Sequence, residues 1–208
     1  MLNLLLQNPL AFFILFPGLL ISITIHEFSH AWAADKLGDP TPRHQGRVTL
    51  NPLAHLDPLG TLMILLTSFG WGKPVEFDPY NLRNPVRDTA LIALAGPMAN
   101  LALAVVLAVV IRLGILPTMW MVSASYLVLL INVSLAIFNL IPVYPLDGSK
   151  ILLAALPPQV ANEYDEFMHR YGFVVLLFLI LPLVGGRSPV SQLVSPVVDL
   201  VVKLLMGG

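Results

Sequence analysis

The chain contains no cysteine. Disulfides and thiolate metal sites are therefore excluded, and any bound metal must draw on nitrogen and oxygen ligands. Charge is scarce as well. Asp, Glu, Lys and Arg make up 11% of the 208 residues, and the formal net charge is −1. Nucleic-acid binders carry a basic patch or stripe, and nothing here supplies one. The opening also lacks what a secretory leader needs. No basic region precedes the first apolar run, and no small-residue cleavage site ends it, so the run is expected to stay in the mature protein. No internal repeat, low-complexity tract or composition shift marks a second domain.

What is present is apolar. Hydrophobic residues make up 57% of the chain, and its mean hydropathy is +0.82. Soluble domains are less apolar and carry about twice the charge. The expectation is one α-helical, multi-pass membrane domain over 1–208. It would have about five to six membrane segments and a short membrane-associated β-hairpin.

One stretch organises the rest: Ile25-His26-Glu27-Phe28-Ser29-His30, near the end of an apolar run that begins at Leu10. An acid at the centre of a membrane helix costs roughly 2.5–3.5 kcal/mol on insertion scales. Two histidines and a glutamate in five residues would add such penalties without return if nothing bound them. On a helix, His26 and His30 are i and i+4 and share a face. That spacing lets two imidazole nitrogens reach one tetrahedral metal, zinc being the usual occupant. Glu27 projects about 100° around the helix, where it can hold a water.

The pattern along the chain gives the remaining segments. A helix over 9–34 would run about 39 Å, enough to cross a core of roughly 30 Å, with Pro17-Gly18 as a bend. The first nine residues carry no Lys or Arg, whereas Lys36, Arg43 and Arg47 follow the helix. Positive-inside bias then places the N-terminus outside and the motif towards the cytoplasmic face. Gly46-Arg47-Val48-Thr49-Leu50 and Lys73-Pro74-Val75-Glu76-Phe77 alternate as the strands of the hairpin. The apolar stretch 59–71 between them is too short to cross and reads as re-entrant. Further helices are expected over about 85–111, 119–141 and 149–156. Residues 173–184 are a further possible crossing, Gly185-Gly186 a hinge, and 190–206 a last helix.

A hydrolytic zinc site needs a third protein ligand. His55 and Asp57 flank the re-entrant stretch and suit supporting or entrance roles. Asp147 sits where a helix breaks, in Pro142-Val143-Tyr144-Pro145-Leu146-Asp147-Gly148, on the leaflet that holds the motif. Composition leaves two roles open for it: metal ligand, or N-cap of the helix that restarts behind it.

The two motifs together resemble the site-2 protease family of intramembrane zinc metalloproteases. The resemblance rests on His26-Glu27-Phe28-Ser29-His30 and on Asn139-Leu140-Ile141-Pro142-Val143-Tyr144-Pro145-Leu146-Asp147-Gly148. Gly96-Pro97-Met98-Ala99-Asn100 resembles the glycine–asparagine stretch that such proteins carry between them. It covers about residues 10–156, leaving 157–208 as accessory helices, and it looks like a short member without PDZ or CBS domains. The resemblance implies His26, His30 and Asp147 as ligands of one Zn²⁺ and Glu27 as the catalytic acid/base. It implies that Asn139 helps hold the substrate or the oxyanion. The substrate would be a transmembrane protein in the lipid bilayer, bound by β-strand addition, and the chain would lie in the cell membrane with its active site towards the cytoplasm. The competing class is a non-catalytic zinc-binding membrane protein, a transporter or sensor, and a weaker third is a scaffold with a degenerate motif.

Overall fold

The structure is a computed structural model that describes residues 1–67, 70–182 and 188–208. Its described helices are, in order, α1 (Leu2–Gln7), α2 (Pro9–Leu37), α3 (Thr41–His44), α4 (Pro58–Thr67), α5 (Pro85–Arg112), α6 (Met119–Asn139), α7 (Asp147–Ala155), α8 (Pro158–Ile180) and α9 (Pro189–Met206). Four of them, α2, α5, α6 and α9, are long and apolar enough to cross a membrane. The expectation is about five to six segments; four are counted among the described residues. Helix α8 is long enough, but Glu163, Asp165, Glu166 and Arg170 crowd its first two thirds. Helix α4 has ten residues, about 15 Å of rise, and cannot span alone. The expected Gly185-Gly186 hinge lies outside the described residues.

Helix boundaries follow local chemistry. Pro9 and Pro85 occupy first turns, where a missing N–H is harmless. The Asn8 side chain accepts from Ala11 N–H at 3.1 Å and caps α2. Gly38 closes α2 at φ 116°, a left-handed conformation that glycine adopts without strain.

The long helices pack through small residues. Ala31 and Ala34 of α2 and Ala93, Ala104 and Ala108 of α5 are all buried. Small side chains let helix backbones approach closely, which matters where lipid supplies no hydrophobic drive for association. Ala104 and Ala108 form one apolar cluster with Leu129 and Val133 of α6 and Val198 and Val202 of α9. Helices α2, α5 and α6 therefore pack on one another, and α9 lies against α5 and α6.

The expected strands do not form. Among the described residues there is one isolated antiparallel bridge, between Leu56 and Gly72. The physical reason lies at Lys73. Its N–H donates to the His55 carbonyl at 2.8 Å, and its carbonyl accepts from the Arg47 guanidinium. A side chain thus takes the place of the next ladder bond.

A buried carboxylate pins the turn after α2. Asp39 accepts from Thr41 N–H (3.1 Å), Thr41 Oγ1 (2.6 Å), Asp78 N–H (2.7 Å) and Asn81 Nδ2 (2.8 Å). Burial alone would raise its pKa, but these four donors hold it below the ordinary carboxylate range. A depressed folded pKa stabilises the fold above the unfolded value, about 3.9, and that stability is lost as pH falls through the folded pKa. Asp39→Ala is expected to lower stability by roughly 2–3 kcal/mol at neutral pH. The gap between the thermal midpoints of variant and wild type should narrow below about pH 4. A gap that stays constant on acidification would show that the ionised carboxylate is not what these donors require.

Candidate metal centre

His26 and His30 project from one face of α2 with ring centroids 4.6 Å apart. Their Nε2 atoms lie 3.1 and 3.2 Å from the same oxygen, Asp147 Oδ2. Asp147 is the first residue of α7. Leu146 occupies the N-cap and contributes no side-chain cap bond. Of the two roles open to Asp147, its carboxylate therefore faces the histidines and does not cap its own helix. Gly148 makes the turn possible, because a Cβ there would lie 2.3 Å from the Leu140 carbonyl oxygen.

Each imidazole is held from behind. His30 Nδ1 donates to the Ile92 carbonyl at 2.6 Å, and His26 Nδ1 meets Asn100 Oδ1 at 2.6 Å. The direction of the second bond follows from a chain of buried polar groups. Carbonyls only accept, so Asn132 Nδ2 must be the atom facing Val128 O (2.8 Å), and Asn100 Nδ2 the atom facing Ser22 O (3.1 Å). Asn132 Nδ2 also donates to Ser22 Oγ (2.9 Å), whose own proton goes to Gly18 O (2.7 Å). Asn132 Oδ1 accepts from Asn100 Nδ2 at 2.8 Å. Only Oδ1 of Asn100 remains for His26, so His26 Nδ1 donates and Nε2 is the nitrogen turned to Asp147.

The residues fit a metal. The ligand atoms of His26, His30 and Asp147 lie within 4.8 Å of one another. Two imidazole nitrogens and one carboxylate oxygen suit zinc and leave a tetrahedral ion one open position. Gly96 of α5 shapes the cradle. A Cβ there would lie 2.4 Å from His30 Nε2 and 2.7 Å from His26 Cε1.

Glu27 lies beside this cluster, nearly buried, with Oε2 4.0 Å from Arg47 Nη2. The other candidates fall elsewhere. Asn139 donates to the Leu135 carbonyl of its own helix at 2.9 Å, and no described contact joins it to the cluster. Asp57 accepts from Gly60 N–H at 2.7 Å at the start of α4. His55 is fully buried and bonds the Thr49 carbonyl through Nε2 at 2.7 Å. Sequence reasoning missed the support: Ser22, Ile92, Gly96 as cradle, and the joint role of Asn100 and Asn132. One signal was present, since Ser22 is four residues before His26 on the same helical face.

The cradle makes a sharp prediction. Gly96→Ala should weaken metal binding on the order of tenfold or more, because the rings cannot give way without leaving their Nδ1 partners. The helical circular dichroism should be unchanged. Wild-type zinc affinity in this variant would show that α5 is not packed against the two rings.

Comparison with known proteins gives the family. The family model for peptidase family M50 matches residues 12–121 and 114–181. YwhC of Bacillus subtilis is 37% identical over 197 residues, covering 86% of this chain and 90% of that protein. Rip2 of Mycolicibacterium smegmatis is 31% identical over 182 residues, 82% of this chain and 67% of that protein. MJ0392 of Methanocaldococcus jannaschii is 26% identical over 156 residues, 73% of this chain and 37% of that protein. All three have zinc metalloprotease in their names. No solved structure matches. On the strength of a family match along most of its length and of relatives aligned with it, this membrane protein belongs to peptidase family M50 and is a zinc metalloprotease.

Proposed function

We propose that the chain hydrolyses peptide bonds within or beside transmembrane segments of membrane-protein substrates. One zinc ion is held by His26, His30 and Asp147, and Glu27 is the general base. The observation that carries this reading is the meeting of the two Nε2 atoms and the Asp147 carboxylate beside Glu27, inside an apolar bundle.

Zinc at such a site supplies Lewis acidity, lowering the pKa of water towards about 7 and polarising a carbonyl. The protein supplies the rest. The bonds from Nδ1 to Asn100 and Ile92 orient both rings and turn both Nε2 atoms towards the metal position. Glu27 takes a proton onto its carboxylate from the attacking water and delivers it to the amide nitrogen as the C–N bond breaks. The water oxygen ends in the new carboxyl group. Asn139 is the candidate for an added contact to substrate or oxyanion, for which its amide would leave the Leu135 carbonyl.

A transmembrane helix hides its carbonyls in i→i−4 bonds, so the substrate must unwind before Glu27 and the metal can reach one. The stretches around Val48 and Val75 are the candidates to hold it extended by strand addition. Lys36, Arg43 and Arg47 after α2 support an orientation with the N-terminus outside and the site towards the cytoplasm.

Glu27→Gln tests the reading. The variant should keep one zinc per chain and lose at least about a hundredfold in cleavage of a transmembrane peptide in proteoliposomes, the usual worth of a general base. Turnover at the wild-type rate would refute the role given to Glu27.

A further inference from the structure

Beside Glu27 the chain buries a guanidinium it does not fully use. Arg47 is 3% exposed. Its Nη2 donates to the Lys73 carbonyl, and it lies 4.0 Å from Glu27 Oε2. Its Nε and Nη1 are buried and have no partner. His55 is 0% exposed, and its Nδ1 is likewise unpaired. Burial, joined by the nearby Arg47 charge, holds its pKa below the ordinary histidine range, which favours the neutral ring. With Nε2 donating to the Thr49 carbonyl, neutral His55 carries a bare acceptor at Nδ1.

Burying such groups unpaired is costly, and more so when they are charged. Two donors and one acceptor left in this state next to the proposed base are the complement of something else: an unwound peptide. A helix segment opened for cleavage exposes carbonyl oxygens and N–H groups that lost their i→i−4 partners, in a place where water is scarce. Each partner's deficit is the other's remedy. The register is constrained too. An extended chain advances about 3.3 Å per residue, so a group beside Glu27 reaches main-chain atoms within about one residue of the bond being cut.

We propose that Arg47 is a substrate-binding residue of this peptidase. One of its two unpaired donors, Nε–H or Nη1–H, donates to a main-chain carbonyl oxygen next to the scissile bond, and His55 Nδ1 accepts a main-chain N–H of the same unwound stretch. The proposal rests on the peptidase reading above and deepens it. It makes unwinding a binding requirement, because an intact helix has no free carbonyl to offer the guanidinium. It also explains why Gly72 lies where it does. A Cβ there would be 2.9 Å from Ile23 Cγ2, 3.2 Å from the His55 carbonyl oxygen and 3.6 Å from Glu27 Oε1, so any side chain would crowd this space.

The test is a kinetic cycle on the zinc-loaded full chain in proteoliposomes. The probe is a fluorogenic transmembrane peptide with a central Gly-Gly break, compared with versions in which one carbonyl flanking the scissile bond is a thioamide. Sulfur is the weaker acceptor. Arg47→Gln should keep stoichiometric zinc and lose on the order of a hundredfold in kcat/KM, the worth of one charge-assisted hydrogen bond. At one flanking position the thioamide should slow the wild type about tenfold and the variant less than twofold. A guanidinium that only braced the Lys73 carbonyl would not produce that coupling. Equal thioamide penalties in both proteins, at both flanks, would overturn the proposal, as would full activity of Arg47→Gln. Should Arg47→Gln fail to retain zinc, Arg47→Lys enters the same cycle, since it keeps the charge and loses the fork. A zinc-loaded wild type that leaves the unmodified peptide uncut overturns the peptidase reading itself, and this proposal with it.

Discussion

The bond from His26 Nδ1 to Asn100 Oδ1 ties the chemistry of this protein to its packing. Inside an apolar bundle no water is at hand to satisfy a stray amide or imidazole, so each polar group must find another. Here the partners run in series from α2 to α5 to α6 and back to α2. Ser22, Asn100 and Asn132 are all fully buried, and every one of these bonds crosses between helices that otherwise meet through alanines and other apolar residues. The chain has a direction, set by main-chain carbonyls that can only accept. That direction reaches His26 as a demand that Nδ1 carry the proton. Nε2 is then the ring nitrogen turned to Asp147. The same contacts that lock three helices together prepare a ligand.

Part of this was legible in the sequence. The i, i+4 histidines with Glu27 between them fix a face and a spacing by helical geometry alone, and the apolar lengths of α2, α5 and α6 fix which segments can span. Asp147 was legible only as an alternative. Sequence places it at a helix start, but which way its carboxylate turns depends on α7 docking against α5, which no local rule gives. Asn100 and Asn132 are amides in apolar helices. Their partnership with Ser22 could not be read, because it depends on the mutual rotation of three helices. The hairpin failed for a related reason. Alternation in 46–50 and 73–77 favours strands. The Arg47 side chain nevertheless claims the Lys73 carbonyl that a neighbouring strand would need. Likewise α8 read as apolar at its end, yet its charged first part keeps it from the pattern of a crossing helix.

The two sides of Glu27 differ in kind. Towards the histidines, the groups behind the first ligands are paired, and the rings are held on their outer edges by Asn100 and Ile92. Towards Arg47 and His55, buried donors and an acceptor stand without partners. A site for a fixed ion and a site for a passing chain should differ in this manner. An ion stays, so its ligands can be braced once. A substrate comes and goes, and its binding groups must wait unsatisfied between turnovers. Gly96 and Gly72 mark the two spaces: one keeps α5 clear of the rings, the other keeps the segment after α4 clear of the glutamate.

The central claim is that one ion is gripped by residues from α2 and from the break before α7. An anomalous-difference map from crystals of the zinc-loaded chain, collected on both sides of the zinc edge, tests it most directly. The account predicts a single strong peak about 2.0–2.2 Å from His26 Nε2, His30 Nε2 and an Asp147 carboxylate oxygen. A peak held by the histidines with Asp147 turned away, or a peak at any other group of residues, would contradict it.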